Sequence, residues 1–368
     1  MYLHSLLGIS TLFVACSIAG AQTQQYTTTD LGLAALNNGT QDGTLTIDRE
    51  TNRVPQYRWG VFDVPPADVP ATDSKGAIVK RVDSKGAMAP SVCNERWEVF
   101  ASTYWLTQKV DEQWPSRPVP QSDIEMWGVN AGARYRLNDA WTLGGMVGYN
   151  DTFIDLSAFP FFGGAKLAKV QVDTWAFTPF VTFEKKSLIA GADFLAQLQY
   201  TYDSSNYDNN IVIANVRGSR SGYANTVDLT TGLTWTSGDL HHGPVLGARY
   251  TSAHLDSFNL NPGSIPVGSS NFDSLASVLG YQVSYDIKVG GGKIVPFASA
   301  SWEHEFKGGY DNVVAGLPNG TIDKDTTVLG AGVGWYGNCG WNVVADYEGR
   351  LNDASRSNFV GLKVGKTF

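Results

Sequence analysis

From Arg96 to the carboxyl end, apolar residues alternate with polar or small ones in runs of about 11 to 16 residues, separated by turn-forming residues. About twelve such runs fall near residues 96–106, 124–137, 140–153, 170–184, 187–202, 223–236, 244–256, 274–287, 293–306, 326–337, 340–350 and 358–368. Runs of this length exceed the usual globular strand and suit tilted crossings of a bilayer. Mean hydropathy is only −0.15, and beyond the amino-terminal stretch no apolar run reaches the roughly 18 residues a membrane helix needs. A helical membrane protein is thereby excluded, whereas a membrane barrel is not, because its strands average an apolar face with a polar one.

The two faces separate along single strands. Leu329, Ala331, Val333 and Trp335 oppose Gly330, Gly332, Gly334 and Tyr336; Trp341, Val343, Ala345 and Tyr347 oppose Asn342, Val344, Asp346 and Glu348. Links after odd-numbered runs are long (107–123, 154–169, 203–222, 257–273, 307–325). Links after even-numbered runs are mostly tight, at Asn138 and Asp139, Lys185 and Lys186, Lys288 to Gly292, and Asn338 with Cys339. This asymmetry predicts an all-β, up-and-down transmembrane barrel with short turns on one side and long loops on the other. Trp141, Trp235, Trp335 and Trp341 flank the short turns, where an interfacial aromatic girdle belongs. The last run ends on Phe368, preceded at alternate positions by Lys366, Val364, Leu362 and Val360, a lipid-facing stripe in which only Lys366 must snorkel.

The amino-terminal part is organised differently. Residues 1–21 read as a secretory signal peptide, with an apolar stretch from Leu6 to Ile18 and the small residues Ala19, Gly20 and Ala21 before Gln22. Residues 22–65 are polar and too few to hold much of a core. Residues 66–93 form a linker in which DSKGA occurs twice, at Asp73–Ala77 and Asp83–Ala87. Helix and fluctuating tether are both open for it. Cys93 and Cys339 survive in the exported chain, and a disulfide between them is possible only if the segment before the first strand bends across the rim.

Net charge −8 argues against nucleic acid as a partner. The sequence carries no G-x-S-x-G elbow, no Gly-Asp-Ser-Leu block and no H-E-x-x-H helix, so the expectation is a protein without enzymatic activity or cofactor. His241 and His242 fall in a turn and offer a metal too few ligands, so no metal site is expected. Glu303 and Glu305 share one strand face, as paired carboxylates of an acid/base site would, but in a barrel that face is the polar lumen. The Gly330–Gly334 stretch precedes no helix and so is no phosphate cradle; inward glycines make room for whatever fills the pore.

Pro296, Phe297 and Ala298 with Trp302–Phe306, then Gly330–Gly334, Asp346–Arg350 and the terminal Gly365, Lys366, Thr367 and Phe368 resemble the β-barrel domain of autotransporters, the type V secretion proteins. The resemblance covers residues 94–368. It implies a twelve-stranded barrel in the outer membrane of a Gram-negative-type bacterium and an amino-terminal helix in its pore. It also implies a terminal aromatic, Phe368, read by the barrel-assembly machinery. Periplasmic chaperones and outer-membrane lipid are the other expected partners, and the barrel is expected to be a monomer. The function expected is translocation or display of the short segment 22–65, with a channel or adhesin acting through the long loops as the alternative. Lys75, Lys80, Arg81 and Lys85 exceed Asp73 and Asp83 by two charges in the linker. Glu303, Glu305, Asp346, Glu348, Asp193 and Asp228 are expected to line the lumen, and their attraction for those cations is expected to hold the pore segment there.

Overall fold

Val, Ile, Leu, Trp and Tyr on one side of each run, and Thr, Ser, Asn and Gly on the other, suit a pleated wall between two solvents. The computed structural model describes residues 96–111, 121–157, 166–212, 215–262, 265–310, 324–337 and 340–368. In chain order its strands are β1 (Trp97–Val110), β2 (Ser122–Arg136), β3 (Trp141–Ser157), β4 (Lys166–Ile189), β5 (Ala192–Ile211), β6 (Val216–Ser237) and β7 (Leu240–Leu255). A small hairpin follows, β8 (Phe258–Leu260) with β9 (Ile265–Val267), and then β10 (Ser270–Tyr285), β11 (Ile287–Val289), β12 (Gly292–Tyr310), β13 (Asp325–Gly337), β14 (Trp341–Leu351) and β15 (Ser355–Thr367). Thirteen of these form one antiparallel sheet. Because β11 only continues β10 past Asp286, twelve strands make the wall.

The sheet closes on itself, since β1 pairs with both β2 and β15. Phe368 seals the seam: its N–H donates to the Trp97 carbonyl at 2.8 Å, and the Trp97 N–H returns a bond to the Phe368 carbonyl at 3.3 Å. Closure leaves the wall no open strand edge, whose unpaired backbone groups hydrocarbon would not tolerate. Around the rim of short turns stand Trp97, Trp141, Trp335, Trp341 and Phe368, all exposed on the outer face. Lys366 lies with its ammonium 5.3 Å from the Trp341 ring centroid, the snorkelling geometry its stripe requires.

Toward the opposite rim the polarity of the wall inverts. Below Trp175, Tyr202 and Tyr223, strands β4 to β6 point apolar residues outward and Thr178, Gln199, Thr201 and Thr226 inward. Above those aromatics the outward positions are Lys169, Gln171, Ser204, Asn206, Asp208 and Ser219, while Val170, Val172, Tyr207, Ile211 and Val216 point in and are buried. The inversion marks where the wall leaves lipid: outside the membrane the outer face meets water and the inner face supplies a core. Here β4, β5 and β6 stand seven to nine residues proud of their aromatics, roughly 25 Å of strand at 3.3 Å per residue.

Inside the membrane band, large rings lie on glycines of the neighbouring strand. A Cβ on Gly132 would sit 2.6 Å from the Gly145 carbonyl and against the Phe100 ring, and the rings of Tyr104, Phe180 and Phe297 occupy the space over Gly128, Gly144 and Gly332 in the same way. Glycine lets these rings lie flat along the wall rather than project into the lumen. Gly332 and Gly334 therefore seat Phe297 and Tyr336 of the wall itself, a tenant that the expectation of simple room for a pore segment did not foresee.

Strand limits differ from the sequence expectation in the centre. The presumed long link 203–222 is mostly strand, interrupted only between Ile211 and Val216. Lys185 and Lys186 are not the turn: β4 continues through a register shift to Ile189, and the chain reverses at Ala190 and Gly191, both at positive φ. His241 and His242 lie in β7, not in a turn, and point to opposite faces. His241 Nδ1 is 3.0 Å from Thr236 Oγ1 and its Nε2 3.7 Å from Asp286; His242 Nδ1 is 2.6 Å from the Tyr281 hydroxyl. Two side chains on opposite faces of a sheet cannot share an ion.

Candidate functional site

The inward positions within the membrane band gather into charged clusters, each built from adjacent strands. At the closure seam Glu98 of β1 accepts from Arg134 of β2, whose Nε lies at 2.7 Å and whose Nη2 also bonds it, and from Lys363 Nζ of β15 at 3.2 Å. Glu98 is 3% and Lys363 4% exposed, and the Lys363 ammonium also sits 4.9 Å from the Phe100 ring centroid. One carboxylate thus bridges two cations across the junction of first and last strands. A buried carboxylate held by charged donors on both sides fixes geometry strongly.

Across the lumen, Arg350 of β14 bonds Glu303 of β12 through Nη2 and Glu348 through Nε at 3.1 Å. On β6 and β7, Arg249 Nε donates to Asp228 at 3.0 Å, while Thr230 donates to the other Asp228 oxygen at 2.9 Å. Glu305 has a different task. The β10 ladder shifts register between Leu275 and Ala276, and Glu305 accepts from the displaced Leu275 N–H at 2.7 Å and from Ser274 Oγ at 2.8 Å. A carboxylate here satisfies the amide that the bulge orphans.

Between these clusters lies a cavity of about 190 Å³, lined by Asp228, Arg249, Glu303, Asp346, Arg350 and Lys363 with Ser299, Ser301 and Thr230 between them. Of the residues expected in the lumen, Glu303, Glu305, Asp228, Asp346 and Glu348 meet on this inner face. Asp193 shares their side of β5 but sits at the rim, where it accepts from the Ser187 N–H at 2.9 Å. Sequence reasoning missed the partners, Glu98, Arg134, Arg249, Arg350 and Lys363. Glu303 and Glu305, two apart, do not form an acid/base pair: one is tied to Arg350 and the other to a strand amide. Among the described residues no group of His, Cys, Asp or Glu forms a metal site. Lys75, Lys80, Arg81, Lys85, Cys93 and Cys339 lie outside the described residues.

A closed antiparallel barrel with lipid outside and ion pairs inside is a membrane translocator or a pore, and comparison with known proteins decides the family. The autotransporter β-domain profile matches residues 106–348, well over half of the chain. The chain belongs to the autotransporter β-domain family. Among curated proteins compared by sequence, none matches. The autotransporter barrel superimposes on the translocator domain of autotransporter NalP from Neisseria meningitidis with a TM-score of 0.61 at 15% identity, covering 74% of this chain and 89% of that one. For the transport unit of autotransporter AIDA-I from Escherichia coli the TM-score is 0.59 at 13% identity, with 77% and 94% covered. The β domain of the Bordetella autotransporter BrkA gives 0.55 at 17%, with 74% and 100% covered. These likenesses carry the fold, and the family places the autotransporter barrel in the bacterial outer membrane, short turns toward the periplasm.

Proposed function

We propose that this barrel is a translocator that brings residues 22–65 to the cell surface and holds residues 66–93 in its lumen, acting as a monomer and with no enzymatic activity of its own. The solved relatives are named a translocator domain and a transport unit, and the same role is assigned here. The observation that carries the reading is the sign of the lumen. The inward carboxylates Glu98, Asp203, Asp228, Glu303, Glu305, Asp346 and Glu348 share the inner face with the cations Arg134, Arg249, Arg350 and Lys363. Acids outnumber bases among these groups, residues 72–90 carry an excess of two positive charges, and in a narrow channel little water screens their attraction. About 20 helical residues span a bilayer at 1.5 Å each, which is close to the length of that stretch.

A cysteine replacing Ala77, with Cys93 and Cys339 changed to Ser, tests the reading. It is expected to react with a soluble maleimide far more slowly in the folded barrel than in the urea-unfolded chain. Lys80→Glu together with Arg81→Glu should restore the fast rate. Equal rates in folded and unfolded protein would put the segment outside the pore and overturn the proposal.

Assembly by the barrel-assembly machinery, with periplasmic chaperones upstream, belongs to the same proposal. Phe368 stands 58% exposed at the end of its lipid-facing stripe, a free aromatic handle. Deleting it, or Phe368→Asp, is expected to lower the yield of heat-modifiable barrel and to leave the chain to periplasmic proteases. Burial of one ring accounts for about 2 kcal/mol at most, so a stability loss of that size with normal yield would assign Phe368 to the girdle alone.

A further inference from the structure

The outer end of the lumen is unlike the rest of it. Where a translocating pore calls for water, Leu106, Ile124, Ile154, Leu156 and Val172 point inward from β1 to β4 and are fully buried in one apolar cluster. The cluster draws in strands β1 to β7 and β15, eight consecutive strands of the twelve in the wall. Its remaining members come from the link between β7 and β10: Phe258, Leu260 and Val267 of the β8–β9 hairpin.

Three contacts fasten that hairpin to β6. Arg217 and Asn261 exchange backbone hydrogen bonds at 2.7 and 2.8 Å. Gly218 leaves room for it, since a Cβ there would lie 2.5 Å from the Asn259 carbonyl and 2.7 Å from the Phe258 ring. Arg220, 5% exposed, places its guanidinium 5.3 Å from the Phe258 ring centroid and 5.7 Å from that of Tyr207, its cross-strand partner. Its Nε and Nη1 meet no hydrogen-bond acceptor among the described residues. A buried guanidinium with unmet donors gains its attraction from the ring faces, so the two aromatics and the cation clasp one another.

We propose that the β8–β9 hairpin is the outer gate of the barrel, seating its apolar side chains in the neck, with Arg220 as the latch between hairpin and wall. Water is unstable in an apolar constriction of this kind, so the neck, closed around the chain that crosses it, bars solutes by dewetting. Beyond the burial of Phe258, Leu260 and Val267, the fastening to the wall is one β-bridge and one cation–π clasp, and none of it belongs to the twelve-stranded ladder. The hairpin is therefore an element that swings out as a unit and leaves the twelve-stranded ladder whole. The gate concerns the outer opening and holds whatever crosses it, so its failure and that of the translocator reading are separable.

The test is side-chain access from outside. Val172→Cys, in full-length protein with Cys93 and Cys339 changed to Ser, puts a near-isosteric thiol in the neck. Intact cells are exposed to a membrane-impermeant maleimide, with Arg217→Cys as the exposed control. The native hairpin should protect the neck thiol, while Phe258→Ser or Gly218→Val should raise its labelling rate about tenfold, the change that loss of a clasp of this class allows. Phe258 lies in the hairpin alone, so Phe258→Ser leaves barrel assembly intact even where Gly218→Val does not, and heat-modifiable migration verifies it. A neck thiol that labels as fast behind the native hairpin as in Phe258→Ser overturns the gate. So does one that stays protected in Phe258→Ser protein that has folded.

Discussion

Glu98→Gln will destabilise the barrel by about 3 to 5 kcal/mol, the usual cost of leaving buried charge without its partner. The carboxylate is the shared acceptor of Arg134 and Lys363, and it joins β1 to β2 on one side and to β15 on the other. Removing it leaves two cations in a lumen where Lys363 is 4% exposed. The loss falls on the seam, where the first and last strands pair. The urea midpoint of heat-modifiable migration is expected to fall. Adding Lys363→Met to Glu98→Gln should recover part of the loss, because one of the two cations that lost the Glu98 carboxylate is then gone. An unchanged midpoint for Glu98→Gln would mean that the seam cluster is solvated and contributes little.

Gly332→Val carries the other large effect. A Cβ at Gly332 would lie 2.5 Å from the Ala345 carbonyl of β14 and inside the space of the Phe297 ring from β12. The ring can move; the carbonyl belongs to the ladder and cannot. A loss of about 3 kcal/mol is expected, at the upper end for overpacking because backbone is involved. Phe297→Ala in the same chain should relieve the ring collision only, so the double variant should lose less than the sum of the two single losses. Strict additivity would show that ring and glycine do not share the space.

Period-2 alternation made the barrel legible, and the stripe Val360, Leu362, Val364, Lys366 and Phe368 stands on the lipid face where it was expected. The strand ends were not legible, for a reason visible at Val170, Tyr202 and Tyr223. Beyond those points apolar residues change parity, because the strand has passed from lipid into water. A reading that follows an outward apolar stripe stops there and mistakes the rest of β5 and the start of β6 for a loop. Five of the lumen carboxylates, Asp228, Glu303, Glu305, Asp346 and Glu348, followed from the same parity, whereas Glu98 was missed and Asp193 sits at the rim. Lys363, which lies between Leu362 and Val364 and must point inward, could in principle have been found in the same way. Which acid meets which base did not follow. Lys363 is paired in register with Ser102, yet bonds Glu98, four residues along β1. That depends on the shear of the closed barrel, which alternation along a single strand does not encode. The hairpin gate was hidden for a similar reason: Phe258, Leu260 and Val267 form no long run, and only the closed neck gives them neighbours.

The account rests on residues 22–65 reaching the cell surface by way of this lumen. An epitope inserted between Asn38 and Gly39 of the full-length chain, probed by antibody on intact cells, tests that most directly. The tag should be bound on intact cells to the same extent as after the outer membrane is permeabilised, and binding should fall in cells carrying Phe368→Asp, in step with the expected loss of heat-modifiable barrel. A tag that is reached only after permeabilisation, in cells whose barrel is heat-modifiable and inserted, would contradict it.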